Sequence, residues 1–261
     1  MTSFALTGDA KTAYSASGDG PPLLLIHGAE ASRHMFDALV PLLAKRFTVI
    51  AYDQRDCGET ESPPVAATLA QLALDAKTLV RSLGFVSAHV FGSSFGGRIA
   101  QVLAASHGNA VDRLVLGSTW ALPHSLAELD PEGSRRIAEL RAGLPETSHA
   151  LAAMFFPESY LAQKPVLRDF FSQVRPSSER SVRRAQAVAG SADIRLPDIA
   201  AKTLLISGDS DRVVPTRLTF AIATQIVDCR QFLLPGVGHA TSLQAPAELA
   251  AAITRFIEDT P

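Results

Sequence analysis

The decapeptide HVFGSSFGGR, residues 89–98, places two serines side by side between glycines. Only Ser94 has glycine two positions away on both sides, at Gly92 and Gly96, because Ser93 has phenylalanine at those positions. A strand-like run precedes this motif and a helix-like run follows it. A serine on such a sharp turn exposes its hydroxyl at the sheet edge, where it can attack a carbonyl carbon. We interpret Ser94 as a nucleophile and assign Ser93 no role; the alternative is a glycine-rich turn without chemistry.

A serine hydroxyl is a poor nucleophile until a base takes its proton. His239, in the segment LPGVGHATS, lies just after a predicted strand and before the last predicted helix. Of the other six histidines, only His27 also follows a predicted sheet strand. A histidine at the same sheet edge as a candidate nucleophile fits the role of general base, so we assign that role to His239.

The base needs a carboxylate that orients it and stabilises its cation. The segment LLISGDSDRVVP offers two after a predicted strand, Asp209 and Asp211. We favour Asp211, which lies inside the loop, and expect Asp209 to cap the turn through its side chain. The order along the chain is then Ser94, Asp211, His239.

Two backbone N–H groups are candidates to stabilise a developing oxyanion. Phe95 directly follows the nucleophile and supplies one donor. Ala29, in the loop IHGAEAS after an early strand, supplies the other. A carboxylate at Glu30 would repel an oxyanion if it faced inward, so we expect Glu30 to point to solvent or to pair with a cation.

The elements around these residues alternate between strand and helix, which predicts an α/β fold with a mostly parallel sheet and helices on both faces. The first residues resemble a hairpin, which predicts an antiparallel edge. The predicted strands lie at 22–28, 46–53, 87–92, 111–118, 203–208 and 230–236, and the predicted helices at 33–45, 67–83, 95–108, after Pro215 and at 245–258.

Residues 121–199 break this alternation with short helix-like pieces separated by prolines. We predict a core formed by residues 1–120 and 200–261, with 121–199 as an inserted helical cap over a substrate pocket. Trp120 and Phe155 are candidate pocket walls, although core packing is an equal alternative for both. The nine arginines and one lysine of this segment are balanced by ten acidic residues, so we expect solvated helix faces.

Together, the motifs resemble those of the α/β-hydrolase superfamily over nearly the whole chain. The matching pieces are His27-Gly28 before the oxyanion loop, the Ser94 turn, the GDSD loop with Asp211, and Gly238-His239. The resemblance implies a serine hydrolase with a helical cap. One loop departs from the family pattern Asp-x-Arg-Gly-x-Gly-x-Ser: it reads DQRDCGET, with Asp56 in place of glycine. Aspartate tolerates a left-handed backbone better than most residues, so this turn can survive.

The composition limits the classes of partner. The 261 residues carry a net charge of −2, and we expect no nucleic-acid partner. No run is long enough for a membrane span, no signal peptide is visible, and two distant cysteines favour a reduced compartment, so we expect a cytoplasmic protein, a monomer or homodimer. No ligand spacing indicates a metal and no phosphate loop indicates a nucleotide, so we expect no cofactor.

These features predict hydrolysis of a small-molecule carboxylic ester or lactone through an acyl-enzyme. Three alternatives stay open. Two use the same side chains: cleavage of a carbon–carbon bond in a dienoic keto acid, and cofactor-free peroxidase-like chemistry. The third is a receptor that retains the hydrolase fold.

Overall fold

The computed structural model describes residues 2–173 and 177–259. Within them, one eight-stranded sheet has the order β1-β2-β4-β3-β5-β6-β7-β8. The pairs β1–β2 and β2–β4 are antiparallel and the other neighbours are parallel, which confirms the predicted α/β class and the hairpin at the start. The strands are Ser3–Thr7, Ala10–Ser17, Pro22–Ile26, Thr48–Tyr52, Ala88–Ser93, Val111–Gly117, Lys202–Gly208 and Cys229–Leu234, β1 to β8 in chain order.

Helices α1 to α3 precede β6, helices α4 to α9 lie between β6 and β7, and helices α10 to α12 follow β7. In chain order they span Val40–Leu43, Leu69–Ser82, Phe95–Ser106, Leu126–Leu129, Pro131–Ala142, Ser148–Phe155, Glu158–Gln163, Val166–Ser172, Glu179–Ala189, Thr216–Ala221, Thr241–Gln244 and Pro246–Glu258. Short 3-10 turns lie at Arg33–Phe36, Gly108–Ala110, Leu196–Asp198 and Ile222–Thr224.

The sheet has an apolar layer on each face because successive side chains of a strand point to opposite sides. In β3, Leu24 and Ile26 belong to the layer covered by α2 and α3. Leu23 and Leu25 belong to the layer covered by α1 and α12. A strand buried on both faces reads as a continuous apolar run, which is why PLLLI shows no alternation in the sequence.

The prediction of one helix over 33–45 was wrong. The structure has a 3-10 turn at Arg33–Phe36 and a separate four-residue helix at Val40–Leu43. Pro41 explains the break, because a proline inside a helix lacks the N–H that would bond to the preceding turn. It is tolerated here because it occupies the first turn of α1.

Helices α4 to α9 occupy the described part of the predicted cap, of which residues 174–176 lie outside the described residues. The boundaries of this cap stay a prediction. Some of its apolar side chains form a small cluster of their own, centred on Ala152, Phe156 and Leu161. Part of the segment therefore packs on itself beside the two layers that cover the sheet.

The strand order reverses between β3 and β5, and loops at such a reversal form a crevice at the carboxyl edge of the sheet. Glycine allows the backbones to pass closely there. A Cβ on Gly96 would lie 2.1 Å from the backbone oxygen of Ile26, and a Cβ on Gly92 would lie 2.5 Å from that of Gly96. The start of α3 is thus held against the end of β3.

We predict that Gly96→Ala lowers the free energy of unfolding by roughly 1–3 kcal/mol, because the new methyl group must displace the backbone of β3. Gly108→Ala is the matched control, since nothing lies within 4 Å of the position of its Cβ. Urea unfolding of both variants measures the difference. Equal stability of the two variants would contradict the tight packing described here.

Candidate active site

Ser94 lies between β5 and α3 with a φ of 54° and a ψ of −121°. A positive φ is uncommon for a residue other than glycine and must be stabilised by its surroundings. The Ser94 N–H donates to the oxygen of Gly117 at 2.8 Å, and its carbonyl accepts from the Thr119 hydroxyl at 2.7 Å and the Gly97 N–H at 2.9 Å. These bonds hold the strand-to-helix turn, hereafter the elbow.

The structure brings Ser94, His239 and Asp211 together, although 145 residues separate the first two along the chain. His239 Nδ1 lies 2.9 Å from Asp211 Oδ2, and His239 Nε2 lies 3.1 Å from Ser94 Oγ. An ionised carboxylate only accepts hydrogen bonds, so Nδ1 carries the proton and Nε2 accepts from the serine hydroxyl. This is the protonation state that a general base requires.

Asp211 and Asp209 occupy different environments. Asp211 is buried, and its second oxygen, Oδ1, accepts the N–H groups of Val213 and Val214, both at 2.9 Å. Asp209 is exposed and accepts from the Gly236 N–H at 2.8 Å, across the turn that follows β8. The geometry thus places Asp211 on the histidine and Asp209 on a turn, the arrangement expected from the sequence.

The loop after β3 lies beside the elbow. A Cβ built on Gly28 would be 3.6 Å from the Cβ of Ser94, so any larger residue at position 28 would contact the nucleophile. Ala29 follows directly. Phe95 is the first residue of α3, where an N–H has no acceptor within its own helix. The two predicted oxyanion donors therefore belong to segments that meet at Ser94.

A buried polar network holds this loop from behind. The Gln54 N–H donates to His27 Nε2 at 3.2 Å, which leaves Nδ1 protonated to donate to the Gly28 carbonyl at 2.8 Å. The Gln54 side chain donates to the His27 carbonyl at 2.7 Å and accepts from Arg184 at 2.7 Å. Burial, and secondly the charge of Arg184, lower the pKa of His27 from 6.5 to about 3.

Helix α9 docks three arginines onto the core. Arg180 donates to two backbone carbonyls of the loop that follows β4, Arg183 pairs with Asp56 at 2.7 Å, and Arg184 reaches the loop after β3. The expectation of solvated faces was wrong for Arg183 and Arg184, whose side chains are largely buried. Asp56 has a φ of 61°, so this substitution for glycine keeps the left-handed turn and adds a partner for the cap.

Glu30 pairs with Arg141 of α5 through both carboxylate oxygens, at 2.5 and 2.9 Å. Its charge is thus directed to a cation of the predicted cap, which agrees with the expectation from the sequence. Both side chains are exposed, so this pair contributes little to stability.

The two candidate pocket residues differ in their surroundings. The ring of Phe155 lies edge-on to the His239 ring, with centroids 5.6 Å apart, and its carbonyl accepts the His239 N–H at 2.7 Å. Trp120 is buried at the start of the cap segment, where its indole N–H donates to the His124 carbonyl and its ring packs against Arg98. Phe155 therefore borders the candidate site, while the described contacts of Trp120 are with the cap hinge.

The remaining reactive groups offer little competing chemistry. Cys57 is buried, and burial raises the pKa of its thiol, which disfavours the reactive thiolate. Within residues 2–173 and 177–259, no cluster of histidine, cysteine and acidic side chains is arranged to hold a metal ion. In the same part of the chain, no helix is both long and apolar enough to cross a membrane.

Residues 21–246 match the sequence profile of the family described as the alpha/beta hydrolase fold. The chain therefore belongs to that family, and it is a hydrolase of the α/β hydrolase fold. Its solved relatives include an enol-lactonase from Burkholderia xenovorans LB400, 25% identical over 98% of this chain and 100% of that one, with a TM-score of 0.80. A thermophilic esterase from Thermogutta terrifontis is 26% identical over 98% of both chains, with a TM-score of 0.82.

One curated relative acts on a different kind of bond. It is the 2-hydroxymuconate semialdehyde hydrolase of Pseudomonas sp. strain CF600, 26% identical over 93% of this chain and 89% of its own length. These names span lactones, esters and a muconate semialdehyde. The likeness therefore shows the family and leaves the substrate to the site.

We predict that His27 stays neutral, with its proton on Nδ1, from pH 8 down to about pH 4, because its pKa in the folded protein is about 3. NMR of the imidazole nitrogens measures this, with the urea-unfolded chain as the reference. The unfolded ring takes up a proton near its ordinary pKa of about 6.5 and the native ring does not, so this residue lowers the stability as the pH falls below that value. A native titration near pH 6 would contradict the prediction.

Proposed function

We propose that this protein is a serine hydrolase that cleaves a carboxylic ester or lactone of a small molecule through an acyl-enzyme. The hydrogen-bonded chain from Asp211 through His239 to Ser94 is the observation that carries this proposal. A nucleophile, a base and an orienting carboxylate within hydrogen-bond reach are the arrangement that acyl transfer requires.

In the first half-reaction, Ser94 Oγ attacks the carbonyl carbon while His239 Nε2 takes the hydroxyl proton. The carbonyl oxygen becomes an oxyanion that the N–H groups of Ala29 and Phe95 bind. Asp211 stabilises the imidazolium that forms, and its two backbone N–H bonds keep its carboxylate oriented toward His239. His239 then gives the proton to the leaving alcohol oxygen, the ester bond breaks, and the acyl group remains on Ser94.

In the second half-reaction, water replaces the alcohol. His239 removes a proton from water, the hydroxide attacks the acyl carbonyl, and the same N–H groups bind the second oxyanion. The bond to Ser94 breaks as His239 returns the proton to its Oγ. The products are a carboxylic acid and an alcohol, which form one hydroxy acid when the substrate is a lactone.

The choice of an ester or lactone is supported by the names of the two solved relatives, an enol-lactonase and an esterase. Cleavage of a carbon–carbon bond in a dienoic keto acid is the second candidate, favoured by the likeness to the 2-hydroxymuconate semialdehyde hydrolase. A panel of short and long acyl esters, lactones and enol-keto acids, with Ser94→Ala as the blank, separates the two. A preference for the enol-keto acids would overturn the ester proposal.

We expect Ser94→Ala to lose about 10³-fold or more in turnover of p-nitrophenyl acetate, because the nucleophile is removed. Ser93→Ala is the matched control, and we expect it to keep turnover within about tenfold of the unaltered protein. Steady-state kinetics of the three proteins make the comparison. An active Ser94→Ala beside an inactive Ser93→Ala would falsify the assignment.

The two aspartates give an independent comparison. We expect Asp211→Asn to lower kcat by roughly 10⁴-fold, because an amide at this position favours the wrong tautomer of His239. Asp209→Asn alters only a turn and should lower kcat less than tenfold. Measuring kcat on the same ester tests this ranking, and the reverse ranking would make Asp209 the acid of the site.

A further inference from the structure

Arg184 of α9 contacts both segments that carry the predicted oxyanion donors. Its Nε donates to the Ala29 carbonyl at 2.7 Å, and one terminal nitrogen, Nη2, lies 3.3 Å from the Gly28 carbonyl. Its guanidinium carbon lies 4.7 Å from the centroid of the Phe95 ring, over its face. One buried side chain of the predicted cap thus touches the residues on either side of the nucleophile.

These contacts fix the direction of the Ala29 N–H. A trans peptide is planar, so the N–H of Ala29 points opposite to the carbonyl of Gly28. That carbonyl accepts from Arg184 and from His27 Nδ1, and both donors lie on the same side of the peptide. The Ala29 carbonyl, in the next peptide, is held by Arg184 as well. Both peptides that flank Ala29 are therefore oriented by one guanidinium.

The charge of Arg184 is placed where it can assist an oxyanion. Its described hydrogen-bond acceptors are two backbone carbonyls and the side-chain oxygen of Gln54, all of them neutral. The side chain is 6% exposed, and its other terminal nitrogen, Nη1, is buried without a partner among the described residues. A buried cation without a direct carboxylate partner polarises the peptides that it binds and strengthens their N–H donors.

We propose that Arg184 is a positioning residue that aims the Ala29 N–H at the oxyanion and links oxyanion binding to the docking of α9. The proposal rests on the proposed function, since it needs Ser94 to form a tetrahedral intermediate. Arg184 acts through Ala29 and does not touch the reacting atoms. The site therefore reaches full activity only while α9 is seated on the core.

The test compares the full-length protein with Arg184→Met and Arg183→Met. Both variants remove one arginine of α9 and keep a long apolar stem, but Arg183 pairs with Asp56 and not with the loop after β3. Two quantities are measured: kcat and KM for p-nitrophenyl acetate, and the inhibition constant of butylboronic acid. The boronate forms a tetrahedral adduct with a serine and places a charged oxygen where the oxyanion forms.

We expect Arg184→Met to lower kcat roughly 10- to 100-fold, part of the loss seen when a whole oxyanion donor is removed. KM should stay within about threefold, because the substrate in its ground state carries no oxyanion, and the boronate inhibition constant should rise in parallel with the loss in kcat. Arg183→Met should keep kcat and the inhibition constant within about threefold. A residue that only docks the cap would change KM and would affect both variants alike.

Arg184→Lys extends the test if Arg184→Met does not fold, because lysine keeps the charge but lacks the planar fork that reaches two carbonyls. We expect it to lower kcat and weaken the boronate roughly tenfold. Wild-type values of both in a folded Arg184 variant, or a loss confined to KM, would overturn the inference. Turnover in the unaltered protein that does not depend on Ser94 would instead overturn the proposed function.

Discussion

The backbone of Ser94 is the constraint on which the site depends. A serine at φ 54° is unfavourable in isolation, and it persists here because its N–H and carbonyl are bonded to Gly117, Thr119 and Gly97. Glycine at position 96 lets α3 begin in contact with the end of β3. That contact brings the loop carrying Ala29 beside the nucleophile. The same close packing thus supplies both the exposed hydroxyl and the neighbouring donors.

A second layer of buried polar groups holds the parts that move least in catalysis. His27, Gln54 and Arg184 bind the carbonyls of the loop after β3, and the backbone N–H groups at 213 and 214 bind Asp211. Each group satisfies a neighbour that would otherwise be buried without a partner, which is costly in the protein interior. The chemistry therefore takes place in a site whose donors are oriented before substrate arrives.

The sequence predicted the sheet, the hairpin and the three members of the candidate triad, because strand ends and the Gly-x-Ser-x-Gly turn leave local signals. It did not predict the break at Pro41, where the apolar spacing of a longer helix concealed the proline. Nor did it predict Arg184, since the partners of a buried arginine lie more than 100 residues away and balanced charge resembles a solvated face. Asp56 in place of glycine was the one local sign that a cation of the cap docks nearby.

The central claim is that Ser94, activated by His239, forms a covalent acyl-enzyme, and peptide mass spectrometry after treatment with a fluorophosphonate tests it most directly. Ser93 and Ser94 are adjacent, so fragment ions must resolve the modified residue. The account predicts one phosphonyl group per chain, on Ser94, and a strongly reduced rate of labelling in His239→Ala. Labelling on Ser93, or labelling of Ser94 at an unchanged rate without His239, would contradict it.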